Sequence, residues 1–138
     1  MALWLKAVYE REPRVVVHDN ANPFTYLEHG NNLFGITHGD GPKPGDLPGI
    51  MSEHADGVPW GRCPHREWLT GHVHHESVKE YRGCSVLTFN TLASRDAWHH
   101  AKGYRSKRFL SSRLYHPNWG LIATNVVPLK MARWLRAA

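Results

Sequence analysis

The apolar positions of this chain come in short bursts, separated by clusters of Gly, Pro, Asn and Asp, and most bursts have the length of strands. Leu3, Leu5, Ala7 and Val8 stand among polar residues in 2–12 and predict a short amphipathic helix that Pro13 stops. Val15, Val16 and Val17 form a β-branched run that predicts a buried strand, with a turn at Asp19, Asn20, Asn22 and Pro23. Residues 24–28 and 33–37 predict two strands about the turn His29-Gly30-Asn31-Asn32. A loop rich in Gly and Pro covers 39–49, and a short helix is expected around 50–55.

Residues 68–70 predict a buried strand that runs into Gly71-His72-Val73-His74-His75. Residues 77–81 and 85–89 predict a hairpin turning at Arg82-Gly83-Cys84, and 95–102 a helical turn ending at Gly103. Two last strands, 109–115 and 120–127, turn at His116-Pro117-Asn118-Trp119, while the basic tail 130–138 has no place in this pattern. Strands outnumber the short helices, so the expected fold class is α/β or α+β, half of a sandwich, in one domain spanning 1–138.

Composition narrows the classes. The 138 residues suffice for one domain, and no stretch has the ~20 apolar residues of a membrane span, so no membrane partner is expected. Cys63 and Cys84 make no disulfide framework and read as reduced thiols of a cytoplasmic protein. The net charge of +5 favours anionic partners, phosphates or nucleic acid, and Lys102, Arg105, Lys107 and Arg108 form a basic run suited to a phosphodiester backbone or to plain solvation. The eleven histidines point further, because imidazole is the commonest metal ligand and a frequent acid–base group.

Two segments concentrate that chemistry. In Phe34-Gly35-Ile36-Thr37-His38-Gly39-Asp40 a strand ends in a histidine followed by glycine, and in Trp68-Leu69-Thr70-Gly71-His72-Val73-His74 a strand ends in glycine and a His-x-His pair. Rigid strands would aim the imidazoles, and the glycines would admit substrate. In extended backbone, His72 and His74 would share a side of the chain, and His38 would complete a three-imidazole face.

These segments, in this order, resemble the last two motifs of calcineurin-like metallophosphoesterases, and the surrounding text is most similar to bacteriophage members of that superfamily. The likeness runs through Pro13-Arg14-Val15, Asn32 to Asp40, Thr70 to His75, Thr91-Leu92-Ala93-Ser94-Arg95-Asp96-Ala97-Trp98-His99 and Gly103-Tyr104-Arg105-Ser106. It implies the C-terminal half of a β-sandwich flanked by helices, with hydrolysis of phosphate mono- or diesters. It also implies a divalent transition metal (Mn, Fe, Ni or Zn), two in a complete site, with His38 and His72 on one ion and His74 on the other. Asp40, His75, Arg95, Asp96 and His99 would support the ligands or line the substrate cleft. The family's earlier motifs, which carry its aspartates, its asparagine and its catalytic histidine, are absent from these residues. That implies a partner chain supplying the other half, a truncated remnant, or a start internal to a longer gene, and each leaves a strand edge and an apolar face uncovered, which a homo-oligomer could also cover.

Two other classes compete. A His-Asn-His nuclease would use His75, Asn90 and His99 on a hairpin followed by a helix. A non-catalytic module would keep the basic balance and bind metal, nucleic acid or a partner without hydrolysis.

Overall fold

The computed structural model describes residues 2–18, 21–53, 60–93 and 107–131. In chain order the elements are α1 (Ala2–Val8), β1 (Thr25–His29), β2 (Asn32–Ile36), α2 (Leu47–Glu53), β3 (His65–Thr70), β4 (Ser77–Tyr81), β5 (Cys84–Thr88), β6 (Phe109–His116) and β7 (Gly120–Pro128). The protein is therefore mixed α/β, mostly strand with short helices. A five-stranded sheet has the order β1-β2-β3-β5-β4, and β6 and β7 form a separate two-stranded ribbon.

The central strands β2, β3 and β5 are parallel, and the hairpin partners β1 and β4 run antiparallel to β2 and β5 at the two edges. This placement follows from burial. Asn32, Leu33, Phe34 and Gly35 are buried in sequence, as befits a strand covered on both faces, whereas β4 shows mostly exposed residues. Adjacent residues of β3 show what covers each face, since successive side chains point oppositely. Trp68 is fully buried on the α2 side, donating its indole N–H to Leu47 O at 2.8 Å and meeting Phe24 and Tyr26 edge-on. Glu67 points to the other face, where it meets Arg113 and Tyr115 of the ribbon.

The core on the α2 side gathers Leu33, Leu47, Met51, Cys63, Trp68, Cys84 and Val86. Gly35 lies opposite Trp68 in register, and a Cβ there would come within 2.6 Å of the indole ring and 2.8 Å of Met51 Cε. That close approach fixes glycine at this position. On the ribbon side Phe34 and Tyr115 pack edge to face at 4.7 Å.

The predicted hairpins are present with no bound moved by more than one residue, and the 68–70 strand extends back to His65. The predicted strand at Val15, Val16 and Val17 is not there: these residues pair with no ladder, and Val16 is 74% exposed. A β-branched run is stiff and extended by itself, but it needs a free edge to join, and this one meets none. The expected 95–102 helix and most of the 130–138 tail lie outside the described residues. Among the described residues no helix is long and apolar enough to cross a membrane. Exposed apolar side chains are present, among them Leu3 (73%) and Trp4 (66%) on α1, and β1 and β4 are the sheet's edges.

Candidate metal centre

Because β2, β3 and β5 are parallel, their carboxyl ends emerge on one edge of the sheet, the side on which open α/β sheets commonly bind ligands. Backbone bonds hold the segments that leave this edge. Thr37 donates to Leu69 O at 3.2 Å, Gly71 to His38 O at 3.0 Å and Phe89 to Thr70 O at 2.8 Å. His38 and His72, each two residues beyond its strand, are thus brought side by side. Their rings meet edge to face with centroids 5.2 Å apart, and His72 Nδ1 lies 3.3 Å from His38 Nε2. Gly39, at φ +99°, lets its loop pass close to Gly71, whose carbonyl oxygen would stand 3.2 Å from any Cβ at Gly39.

The backbone after β3 differs from the extended form the sequence suggested. His72 has φ 65° and His74 φ 60°, and Val73 donates to Gly71 O at 2.8 Å, which closes a three-residue turn centred on His72. The period-two argument therefore does not apply to His72 and His74. Gly71 turns the chain off the strand before the pair is reached. Left-handed backbone at two consecutive histidines of a His-x-His pair is uncommon and costly, and such strain clusters at functional sites.

The structure thus brings two of the three proposed imidazoles together. His74 is half-buried on the same turn, and among the described residues no three His, Cys, Asp or Glu side chains gather as a metal-binding group. The donor set fits a cation in part. Two imidazole nitrogens, each ~2.0–2.1 Å from one tetrahedral ion, sit about 3.3 Å apart, which is the separation seen here. A complete shell needs further ligands.

The secondary candidates divide. Asp40 is exposed and has no hydrogen bond to either histidine, so it does not orient them. His75 Nδ1 lies 3.2 Å from Val73 O within the turn. Asn90 donates to Lys107 O at 3.2 Å and Phe109 O at 3.0 Å, tying the end of β5 to the start of β6. Arg95, Asp96 and His99 lie outside the described residues. Cys63 and Cys84 are free thiols, and burial pushes the Cys84 thiol up to about 11.

The sequence reading missed the polar network under the ribbon. Arg113 and Tyr115 both reach Glu67, whose carboxylate is almost wholly buried, and Ser85 Oγ approaches it at 3.5 Å. Burial and then Glu67 raise the Tyr115 hydroxyl well above the usual phenol range. Burial pulls the Arg113 guanidinium down, but Glu67 outweighs it and the net shift is upward. A carboxylate directly before the buried Trp68 was the available signal; its partners are too distant in sequence to be found locally.

No protein-family model matches the chain, and no curated protein and no solved structure matches it either.

Proposed function

We infer that the chain is a metal-dependent phosphoesterase or the C-terminal part of one, of the calcineurin-like kind, with His38 and His72 sharing a divalent transition metal. The observation that carries this reading is the 3.3 Å separation of two ring nitrogens at the carboxyl ends of adjacent parallel strands. In the metal-free protein one of these rings donates to the other. A cation would be held by the His38 Nε2 and His72 Nδ1 lone pairs, with the ring protons on the outer nitrogens. When bound, such an ion would lower the pKa of a water and stabilise negative charge on a phosphate.

The protein's own part is positional. The Gly71–His38 backbone bond fixes the two histidine segments relative to each other, and the turn at His72 aims its Nδ1 at His38. His74 joins as a ligand through adjustment of the 72–75 turn. A complete site of this kind would also need carboxylates and a catalytic histidine, which the two histidine segments do not supply. A second reading, a non-catalytic binding module, draws on the two-imidazole shell and the absence of a carboxylate beside it among the described residues.

The test is metal content by mass spectrometry after incubation with manganese or zinc, alongside hydrolysis of bis-p-nitrophenyl phosphate. His38→Ala and His72→Ala should each lower bound metal by tenfold or more at limiting ion, on the scale of losing one of few ligands. Unchanged metal binding in both variants sinks the assignment. Metal binding without hydrolysis favours the module.

A further inference from the structure

At the open end of the ribbon, where β6 begins and β7 ends, Lys107, Arg108, Phe109, Val126 and Lys130 border a groove of about 780 Å³. Pro128 and Leu129 complete its apolar floor, and Leu129 closes the end by donating to Arg108 O at 3.2 Å. Among the described residues, three cations and no carboxylate line it. Lys107 and Lys130 are exposed and form no ion pair among the described residues.

The groove's position gives it meaning. Asn90, two residues beyond β5, holds the backbone oxygens of Lys107 and Phe109, while Phe89 is bonded to Thr70 O and Gly71 to His38 O. One run of hydrogen bonds therefore links the histidine pair to the groove along the carboxyl edge of the sheet. With neighbouring strands ~4.8 Å apart, the β2-to-β5 step is roughly 10 Å. Inorganic phosphate or a phosphomonoester of a small alcohol does not span that step. A polymer with a repeating anionic backbone does.

We propose that this groove binds single-stranded nucleic acid and presents it to the histidine pair, so that the substrate class is a polynucleotide phosphodiester. The substrate role rests on the phosphoesterase reading; the binding role does not. Two chemical features choose the ligand. Lys107, Arg108 and Lys130 match backbone phosphates, and the half-exposed Phe109 ring over an apolar floor offers a base a stacking surface, the combination that single-strand binders use. A small anion would use the cations and leave the apolar floor idle.

The experiment is fluorescence anisotropy of the full chain with a labelled oligothymidylate, in metal-free buffer across a salt series. The expected result is binding stronger than to a duplex of the same length, weakening steeply with salt. Lys107→Glu with Lys130→Glu should weaken binding about tenfold and reduce the salt slope by about 1.4, two lost phosphate contacts on a single strand. Phe109→Leu, which keeps an apolar side chain, should weaken binding by several-fold with the slope unchanged.

Failure of the double charge reversal to change affinity or slope overturns the groove assignment, and so does equal affinity for duplex. Binding to phosphatidylserine vesicles in place of the oligonucleotide makes the groove a membrane site and overturns it too. The phosphoesterase reading fails separately: an intact oligonucleotide site with no metal dependence on His38 and His72 removes the catalytic role and leaves the groove.

Discussion

The two ends of the parallel strands are built differently. At the amino ends of β2 and β3, side chains lock the ribbon to the sheet. Asn32 Nδ2 reaches His29 O, His116 O and Pro117 O, Asn31 donates its backbone N–H to Pro117 O at 2.6 Å, and His65 Nε2 contacts Asn118 O at 3.1 Å. Gly30 lies so close to Pro117 that a Cβ would stand 2.5 Å from its carbonyl oxygen. At the carboxyl ends of β2 and β3 backbone bonds stitch the segments, Asn90 ties the end of β5 to the ribbon, and the imidazoles of His38 and His72 are left exposed. The lesson is a division of labour: polar side chains at one end and beneath the ribbon stabilise, while those at the other end are left available to a ligand.

The sharpest way to break this contrast is to attack the locked part. Arg113→Ala strands the Glu67 carboxylate in a buried site with Tyr115 as its main remaining partner. Removing one member of a buried pair costs about 3–5 kcal/mol, read as a fall in the urea midpoint. Replacing both members, Glu67→Gln with Arg113→Met, should recover much of that loss. If Arg113→Ala is as mild as a surface change, the network is not a lock.

Asn32→Leu comes next. It removes the donor that three carbonyls share, and losing two N–H bonds at about 0.5–1.5 kcal/mol each costs roughly 1–3 kcal/mol. Asn32 Oδ1 is itself buried without a partner among the described residues, so part of that cost is already carried by the native protein. Amide exchange should speed up in β6 and β7 before the rest of the sheet, since the lost bonds tie the ribbon specifically.

A third test uses pH. The Cys84 thiol ionises near 9 in the unfolded chain and at about 11 in the fold, and the Tyr115 hydroxyl is raised as well. Below pH 9 both are protonated in both states, and their contribution is intact. As pH climbs from about 9 to 11 the unfolded chain releases protons that the folded chain keeps, so stability falls over that window. Cys84→Ala should flatten the early part of the fall in pH-dependent urea unfolding. A stability curve level to pH 11 in the wild type contradicts burial of these groups.

How much of this was legible in the sequence follows the same division. Local signals were enough for the hairpins: Gly30, Gly83 and the 117–119 turn announce themselves, and the alternation on either side sets the strands. The strand-ending His38 and His72 were visible because glycine and a period change flank them. What could not be read is whatever needs a partner remote in the chain. Val15 to Val17 has strand propensity but pairs with neither sheet edge, and the Glu67–Arg113 pair spans 46 positions. The bend at His72 was hidden for another reason, because a histidine in left-handed backbone contradicts its own preference, and only the surrounding bonds enforce it.

That bend supplies the smallest and most diagnostic effect. If the carboxyl end is arranged for a ligand at the expense of stability, relieving its backbone should leave the fold unharmed or improve it. Glycine adopts φ +65° without the Cβ penalty that His72 bears, at the cost of greater freedom in the unfolded chain. His72→Gly should therefore change stability by between zero and about 1 kcal/mol in the favourable direction, since the imidazole it removes is exposed and makes one contact, to His38. The same variant should lose metal as His72→Ala does. A gain in thermal midpoint together with a loss of bound ion would show that the strained turn serves the site rather than the fold. A clear destabilisation would mean that the His38–His72 contact is itself structural, and the contrast between the two ends would collapse.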